Sequence, residues 1–204
     1  MNKLIFGAFY TRNTPYADIV DSYFKQSCLE LNLKFKITGI PNQGTWLKNV
    51  AEKPRVILDQ LKDLKEDERL IFVDADAVIE KYPTLLEMIP PEYDFGFHLL
   101  SWKQWYGYST DTYELLSGTL FLKNIPEVHA LCLDWHRQAL NYDEWEQVSL
   151  QKCLSNYKLN VYELPLEYCY PISRPGGLEP LVKLDPIISH HQKSRELKKI
   201  IRKD

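Results

Sequence analysis

The first 76 residues alternate between short apolar runs and amphipathic stretches, and that alternation restricts the fold more than any other feature of the chain. Leu4-Ile5-Phe6-Gly7-Ala8-Phe9-Tyr10 reads as a buried strand stopping at the polar turn Thr11-Arg12-Asn13-Thr14-Pro15. Residues 16–32 carry apolar side chains at helical spacing, and 34–40 alternate as a half-exposed strand does. A second helix is predicted over 54–64, with Pro54 in its first turn, followed by the buried strand Leu70-Ile71-Phe72-Val73. Strand, helix, strand, helix, strand is the pattern of an α/β protein with a central, mostly parallel sheet flanked by helices. Further strands are predicted over 93–99, 117–122 and 159–164, and helices over 126–141 and 144–154. The stretch from 165 to 186 reads as loop, and 102–108 reads as a polar loop whose aromatic faces either stand open to stack on a sugar or pin the loop to the core through its Trp residues.

With no repeat, linker or low-complexity tract, the 204 residues are expected to form a single domain, 1–204. Apolar residues are 45% and charged residues 26%, which excludes a disordered chain or a collagen-like fibre. A net charge of −3 gives no counterion-release argument for nucleic acid as a partner. Cys28, Cys132, Cys153 and Cys169 are widely spaced with no C-x-x-C pair, so they read as reduced thiols rather than a zinc site or disulfide frame. No run approaches the ~18 apolar residues of a transmembrane helix. The apolar run after Lys3 is too short for a signal peptide, so a cytoplasmic protein is expected. The basic tail Lys198-Lys199-Ile200-Ile201-Arg202-Lys203 is a weak signal for peripheral membrane contact, and a solvated helix end is the better account of it.

Asp74 and Asp76 follow the apolar strand at its carboxyl end, where open α/β sheets bind ligands. In extended backbone residues i and i+2 point to one side, so the two carboxylates are expected to converge. Two adjacent carboxylates suit a hard divalent cation such as Mg²⁺ or Mn²⁺, leaving coordination positions for a diphosphate. A solvated turn in which Asp caps nearby N–H groups is the plainer alternative.

Ile71-Phe72-Val73-Asp74-Ala75-Asp76-Ala77 resembles the D-x-D segment of GT-A-fold, nucleotide-sugar-dependent glycosyltransferases, in particular their short phage- and virus-type members. Other segments carry the same resemblance in the same order: Phe9-Tyr10-Thr11-x-x-Thr14-Pro15-Tyr16, Trp46-x-x-Asn49-x-x-x-Lys53-Pro54, Glu114-Leu115-Leu116-Ser117-Gly118-Thr119, Trp145-Glu146-Gln147-x-x-Leu150 and His190-x-Gln192-x-Ser194-Arg195. The resemblance implies a metal-dependent glycosyltransferase that takes a nucleoside diphosphate-sugar donor, of the UDP-sugar kind, and a glycan or other hydroxyl acceptor. A non-catalytic nucleotide-sugar- or glycan-binding domain of the same fold is the alternative. A haloacid-dehalogenase-type phosphatase fits less well, because its acidic pair follows the first strand. A sugar-nucleotide pyrophosphorylase lacks support, since its Gly-rich loop is missing after Phe9.

By the same resemblance, Tyr10, Thr11, Tyr16 and Trp46 would line the nucleotide site, with Lys53 meeting a phosphate or the donor sugar. Asp76 would be the principal metal ligand, and Asp74, beside Ala75, would touch ribose, metal or both. His190 would complete the metal set and favours Mn²⁺ over Mg²⁺. Ser117 and Gly118 would face the donor sugar. Glu146 and Gln147 would lie at the reacting carbon, Glu146 as general base or stabiliser, with Asp143 and Glu144 as competing carboxylates. Ser194 and Arg195 would add phosphate contacts, although Arg195 also fits a plain surface charge.

Overall fold

The computed structural model describes residues 3–110, 112–142 and 144–201, with side chains up to 197. Asp143 and the basic tail side chains named above lie outside the described set.

The chain opens with β1 (Lys3–Thr11), whose carboxyl end turns through Thr14: its hydroxyl donates to Thr11 O at 2.6 Å. A helical rod follows as α1 (Tyr16–Val20), a π turn over Asp21–Lys25 and α2 (Gln26–Glu30). Next come β2 (Phe35–Ile40), α3 (Trp46–Ala51), which Thr45 caps by accepting from Lys48 N, and α4 (Lys53–Lys62), with Pro54 in its first turn. β3 (Glu68–Val73) then leads directly into the Asp74–Asp76 turn.

After the turn lie β4 (Ala77–Ile79), α5 (Thr84–Met88) and β5 (Phe95–Ser101). Residues expected as a loop instead form α6 (Trp102–Tyr106): the Ser101 hydroxyl caps it, and Gly107, with φ of 75°, ends it. Trp105 is buried there, so the aromatic segment is pinned to the body at that point, while Tyr108 is exposed. β6 (Tyr113–Lys123) starts four residues earlier than the sequence suggests. α7 (Pro126–Asn141), α8 (Glu146–Leu154) and β7 (Val161–Glu163) match their expected places within a few residues. The segment read as loop contains β8 (Tyr170–Pro171), and β9 (Ile188–His190) and α9 (Ser194–Ile201) complete the described chain.

The main sheet has the order β2-β1-β3-β6-β5-β7. Its β1–β2, β1–β3 and β5–β7 pairings are parallel, while β6 runs antiparallel to both neighbours, so five strands share one direction. Both faces of the central strand β3 are covered, which is why it is a continuous apolar run, whereas the edge strands β2 and β7 stay partly exposed. Leu70, Phe72, Leu120 and Leu122 meet Val56, Ile57 and Leu61 of α4, Leu131 and Trp135 of α7, and Leu150 of α8. The alternate residues Ile71, Val73 and Phe121 meet Val20, Phe24 and Cys28 on the other face. A second sheet, β4-β9-β8, sits beside the end of β3 and places Ala77 opposite His190. That pairing brings the late part of the chain onto the acidic turn. No helix among the described residues is long and apolar enough to cross a membrane.

Candidate active site at the end of the third strand

The acidic pair converges, but through a turn rather than an extended i, i+2 arrangement. Asp74 N donates to Gly118 O at 3.0 Å, continuing the β3–β6 ladder for one more bond. Ala77 N then returns to Asp74 O at 3.0 Å and closes the turn. Asp76 is buried, and its Oδ2 accepts from Lys193 N at 2.6 Å. Burial, reinforced by the charge of Asp74, pushes the Asp76 carboxyl up to about 7.

His190 reaches the same place from β9. Its Nε2 lies 2.9 Å from Thr119 Oγ1, while its buried Nδ1 has no protein partner. Burial, helped by the positive charge of Lys53, pushes the imidazole down to about 3, so it is neutral across the physiological range. A ligating atom from each of Asp74, Asp76 and His190 lies within 4.8 Å of the others, the one such group of acids, histidines and cysteines among the described residues. Two carboxylate oxygens and a neutral imidazole nitrogen are a donor set that suits a divalent cation. Gly118 makes room for this: a Cβ there would sit 3.0 Å from His190 Cε1.

Lys53 enters from the first turn of α4 and is fully buried. Its Nζ lies 2.7 Å from Asp74 Oδ1, 2.7 Å from Ser117 O, 3.2 Å from Ser117 Oγ and 3.3 Å from Glu146 Oε1. Burial works against the charged ammonium, but Asp74 and Glu146 outweigh it and hold Lys53 above its ordinary value. Glu146, in the first turn of α8, also accepts from Ser117 Oγ at 2.8 Å. Its backbone carbonyl takes the Trp135 indole N–H at 2.6 Å, which anchors that helix start to α7.

Two cavities meet over these residues. The smaller, about 110 Å³, is walled by Tyr10, Thr11, Tyr16, Trp46, Asn49 and Ala75. Burial raises the Tyr16 phenol well above its ordinary value, with the Trp46 indole acting in the opposite sense. The larger, about 710 Å³, runs past Ser117, Gly118, Gln147 and His190 toward Tyr106 and Arg195. Trp46, Asp74, Asp76, Glu146 and Ser194 border both.

No protein-family model and no curated protein matches this chain by sequence. Solved structures do match it. A glycosyltransferase involved in glycosylating the major capsid of PBCV-1 aligns over 98% of both chains, with a TM-score of 0.66 at 11% identity. This chain has a GT-A fold. The galactosyltransferase LgtC, solved with donor and acceptor sugar analogues, aligns over 97% of this chain and 94% of its own, with a TM-score of 0.57 at 10% identity. The bifunctional glycosyltransferase WbbM aligns over 94% of this chain but 46% of its own, with a TM-score of 0.58 at 12% identity.

Within the GT-A fold, the residues expected at the site from Tyr10 through Arg195 border one or both cavities. Thr119, from the same Ser-Gly-Thr segment, sits behind His190 instead. Lys53, expected to meet a phosphate or the donor sugar, borders the smaller cavity and its ammonium ties Asp74 to Glu146. Glu144 is engaged by Ser149 Oγ and Lys152, away from the cluster. Arg195 is no plain surface charge, since it is half-buried and its Nη1 donates to Ser173 O at 3.1 Å. Asn49 and Glu114, which stand in the segments that carry the resemblance but were given no role there, also line the cavities.

Proposed function

We propose that this protein is a metal-dependent glycosyltransferase that moves a sugar from a nucleoside diphosphate-sugar, of the UDP-sugar kind, to a hydroxyl of a glycan or similar acceptor. The observation that carries the reading is the convergence of Asp74, Asp76 and His190 at the border of two cavities in a GT-A fold. The unpartnered Nδ1 of a neutral His190 supports a metal ligand there, and its presence beside two carboxylates favours Mn²⁺, with Mg²⁺ second. When bound, such an ion supplies Lewis-acid stabilisation of the departing diphosphate.

The chain's own residues do the rest. Tyr10, Thr11, Tyr16 and Trp46 form an aromatic-walled slot suited to a base and ribose. Lys53 keeps Asp74 and Glu146 at fixed positions on either side of Ser117. Glu146, tethered to Lys53 and Ser117, is a fixed negative charge facing the larger cavity. We assign it the stabiliser's part at an oxocarbenium-like centre rather than the base's. Gln147 and the Gly118 backbone border the same space, where the donor sugar would lie. The four buried free thiols suit a reducing compartment, and we place the protein in the cytoplasm.

The test is nucleoside diphosphate release from a panel of UDP- and GDP-sugars, with Mn²⁺ and with EDTA. Mn²⁺-dependent release from at least one donor is expected. Donor-dependent thermal stabilisation without release from any of them would instead favour the binding-domain alternative.

A further inference from the structure

A carboxylate outside the metal cluster organises the far side of the larger cleft. Glu114 lies on β6, four residues before Gly118, and borders the same cleft as Leu116 and Gly118. Its Oε1 accepts from Gln147 Nε2 at 2.7 Å, and its Oε2 accepts from Trp102 Nε1 at 3.0 Å. The other end of the Gln147 amide accepts from Ser117 N at 3.0 Å. Each direction in this chain is fixed by chemistry. An indole N–H and a backbone N–H can only donate, so Glu114 must accept on both oxygens and Gln147 must turn its carbonyl to Ser117.

Trp102 is packed edge-on against Tyr106 and Tyr108, with ring centroids 6.0 and 5.9 Å away. The aromatic wall, Glu114 and the Gln147 amide are therefore one connected unit. We propose that Glu114 is a positioning residue, one that sets the orientation of the Gln147 amide at the reaction centre and links it to the aromatic wall of the cleft. This rests on the glycosyltransferase reading insofar as Gln147 borders the reacting sugar; the orientation itself does not.

Glu114→Gln preserves shape and removes one acceptor. The new amide can accept from Gln147 or from Trp102, but not from both. The indole N–H cannot turn round and takes the new carbonyl, so the new NH₂ group faces Gln147, whose amide flips and turns its own NH₂ group toward Ser117, where the hydroxyl 3.4 Å away can accept in place of the lost backbone bond. Adding Trp102→Phe removes the competing donor and lets the carbonyl of the introduced amide serve Gln147 alone. The double variant is thus expected to restore the amide that the single variant disturbs. A structural role in mere packing predicts the opposite, since the double variant loses more contacts.

The experiment follows the Gln147 side-chain NH₂ resonances of the full chain by ¹⁵N-correlated NMR, assigned by their loss in Gln147→Met. Glu114→Gln should shift these resonances or abolish their protection from solvent exchange, Trp102→Phe should leave them near the parent positions, and the double variant should return them. Unchanged resonances in Glu114→Gln, or no recovery in the double variant, would overturn the proposal. Turnover with whichever donor the panel identifies should fall about tenfold in kcat, with donor KM held, and recover in the double variant. If no donor is turned over, the function reading fails while the amide readout still decides the role of Glu114.

Discussion

Lys53 and Asp74 are joined by a 2.7 Å ion pair in which the lysine side chain is 2% exposed and the aspartate 43%. The same ammonium serves Glu146, whose side chain is 11% exposed. One cation thus holds together the turn after β3 and the start of α8, and its removal strands the buried carboxylate more than the exposed one.

Lys53→Met should destabilise the fold by about 3–5 kcal/mol, because Glu146 is left as an unpaired buried charge. The double variant Lys53→Met/Glu146→Gln should be more stable than Lys53→Met alone, although it carries one more substitution. Urea unfolding of the three proteins measures this, and equal stability of the single and double variants would contradict the bridging role of Lys53.

Gly118→Ala tests the space around His190. The added methyl meets the imidazole at 3.0–3.3 Å, so the ring must move by a few tenths of an ångström. A modest stability cost of about 1–2 kcal/mol is expected, with a loss of Mn²⁺ affinity of about tenfold. Titration calorimetry with Mn²⁺ checks the second effect, and undiminished affinity would remove His190 from the ligand set.

The opposed shifts of Asp76 and His190 make a pH prediction for the metal-free protein. The folded Asp76 keeps its proton up to about 7, so on its own it lowers stability as pH rises from about 4 to 7. The folded His190 refuses a proton down to about 3, so on its own it lowers stability as pH falls below about 6.5. Between these limits folding moves one proton from histidine to aspartate, and the pair contributes almost no net slope. His190→Asn removes one side of the balance. Its stability should therefore decline with rising pH between about 4 and 7 by more than the parent's does, as followed by urea midpoints in EDTA.

The alternation that builds the main sheet was legible because both faces of β1, β3 and β6 are buried and their strands are continuous apolar runs. The position of Asp74 and Asp76 at a strand end followed from that. The second sheet was not legible, since strands of two and three residues, such as Tyr170–Pro171 and Ile188–His190, are too short to show a period. Its pairing, which sets His190 across from Ala77 over more than a hundred residues, is a tertiary fact. Lys53 at a helix start reads as a cation for a phosphate or sugar, and nothing local signals that it runs inward to two acids. The α6 segment looked too polar for a helix, yet the Ser101 cap and the Gly107 stop were both present in the sequence and mark its ends.

The decisive measurement is UDP binding to the full chain by calorimetry, with Mn²⁺ and with EDTA, in the parent and in Asp76→Asn. Asparagine can still accept from Lys193 N–H, so the turn should survive while the anionic ligand is lost. Mn²⁺-dependent UDP binding is expected in the parent and its loss in Asp76→Asn, with a cooperative unfolding transition in both. UDP binding that is equally tight in EDTA, or that persists with Mn²⁺ in Asp76→Asn, would contradict the metal-site assignment.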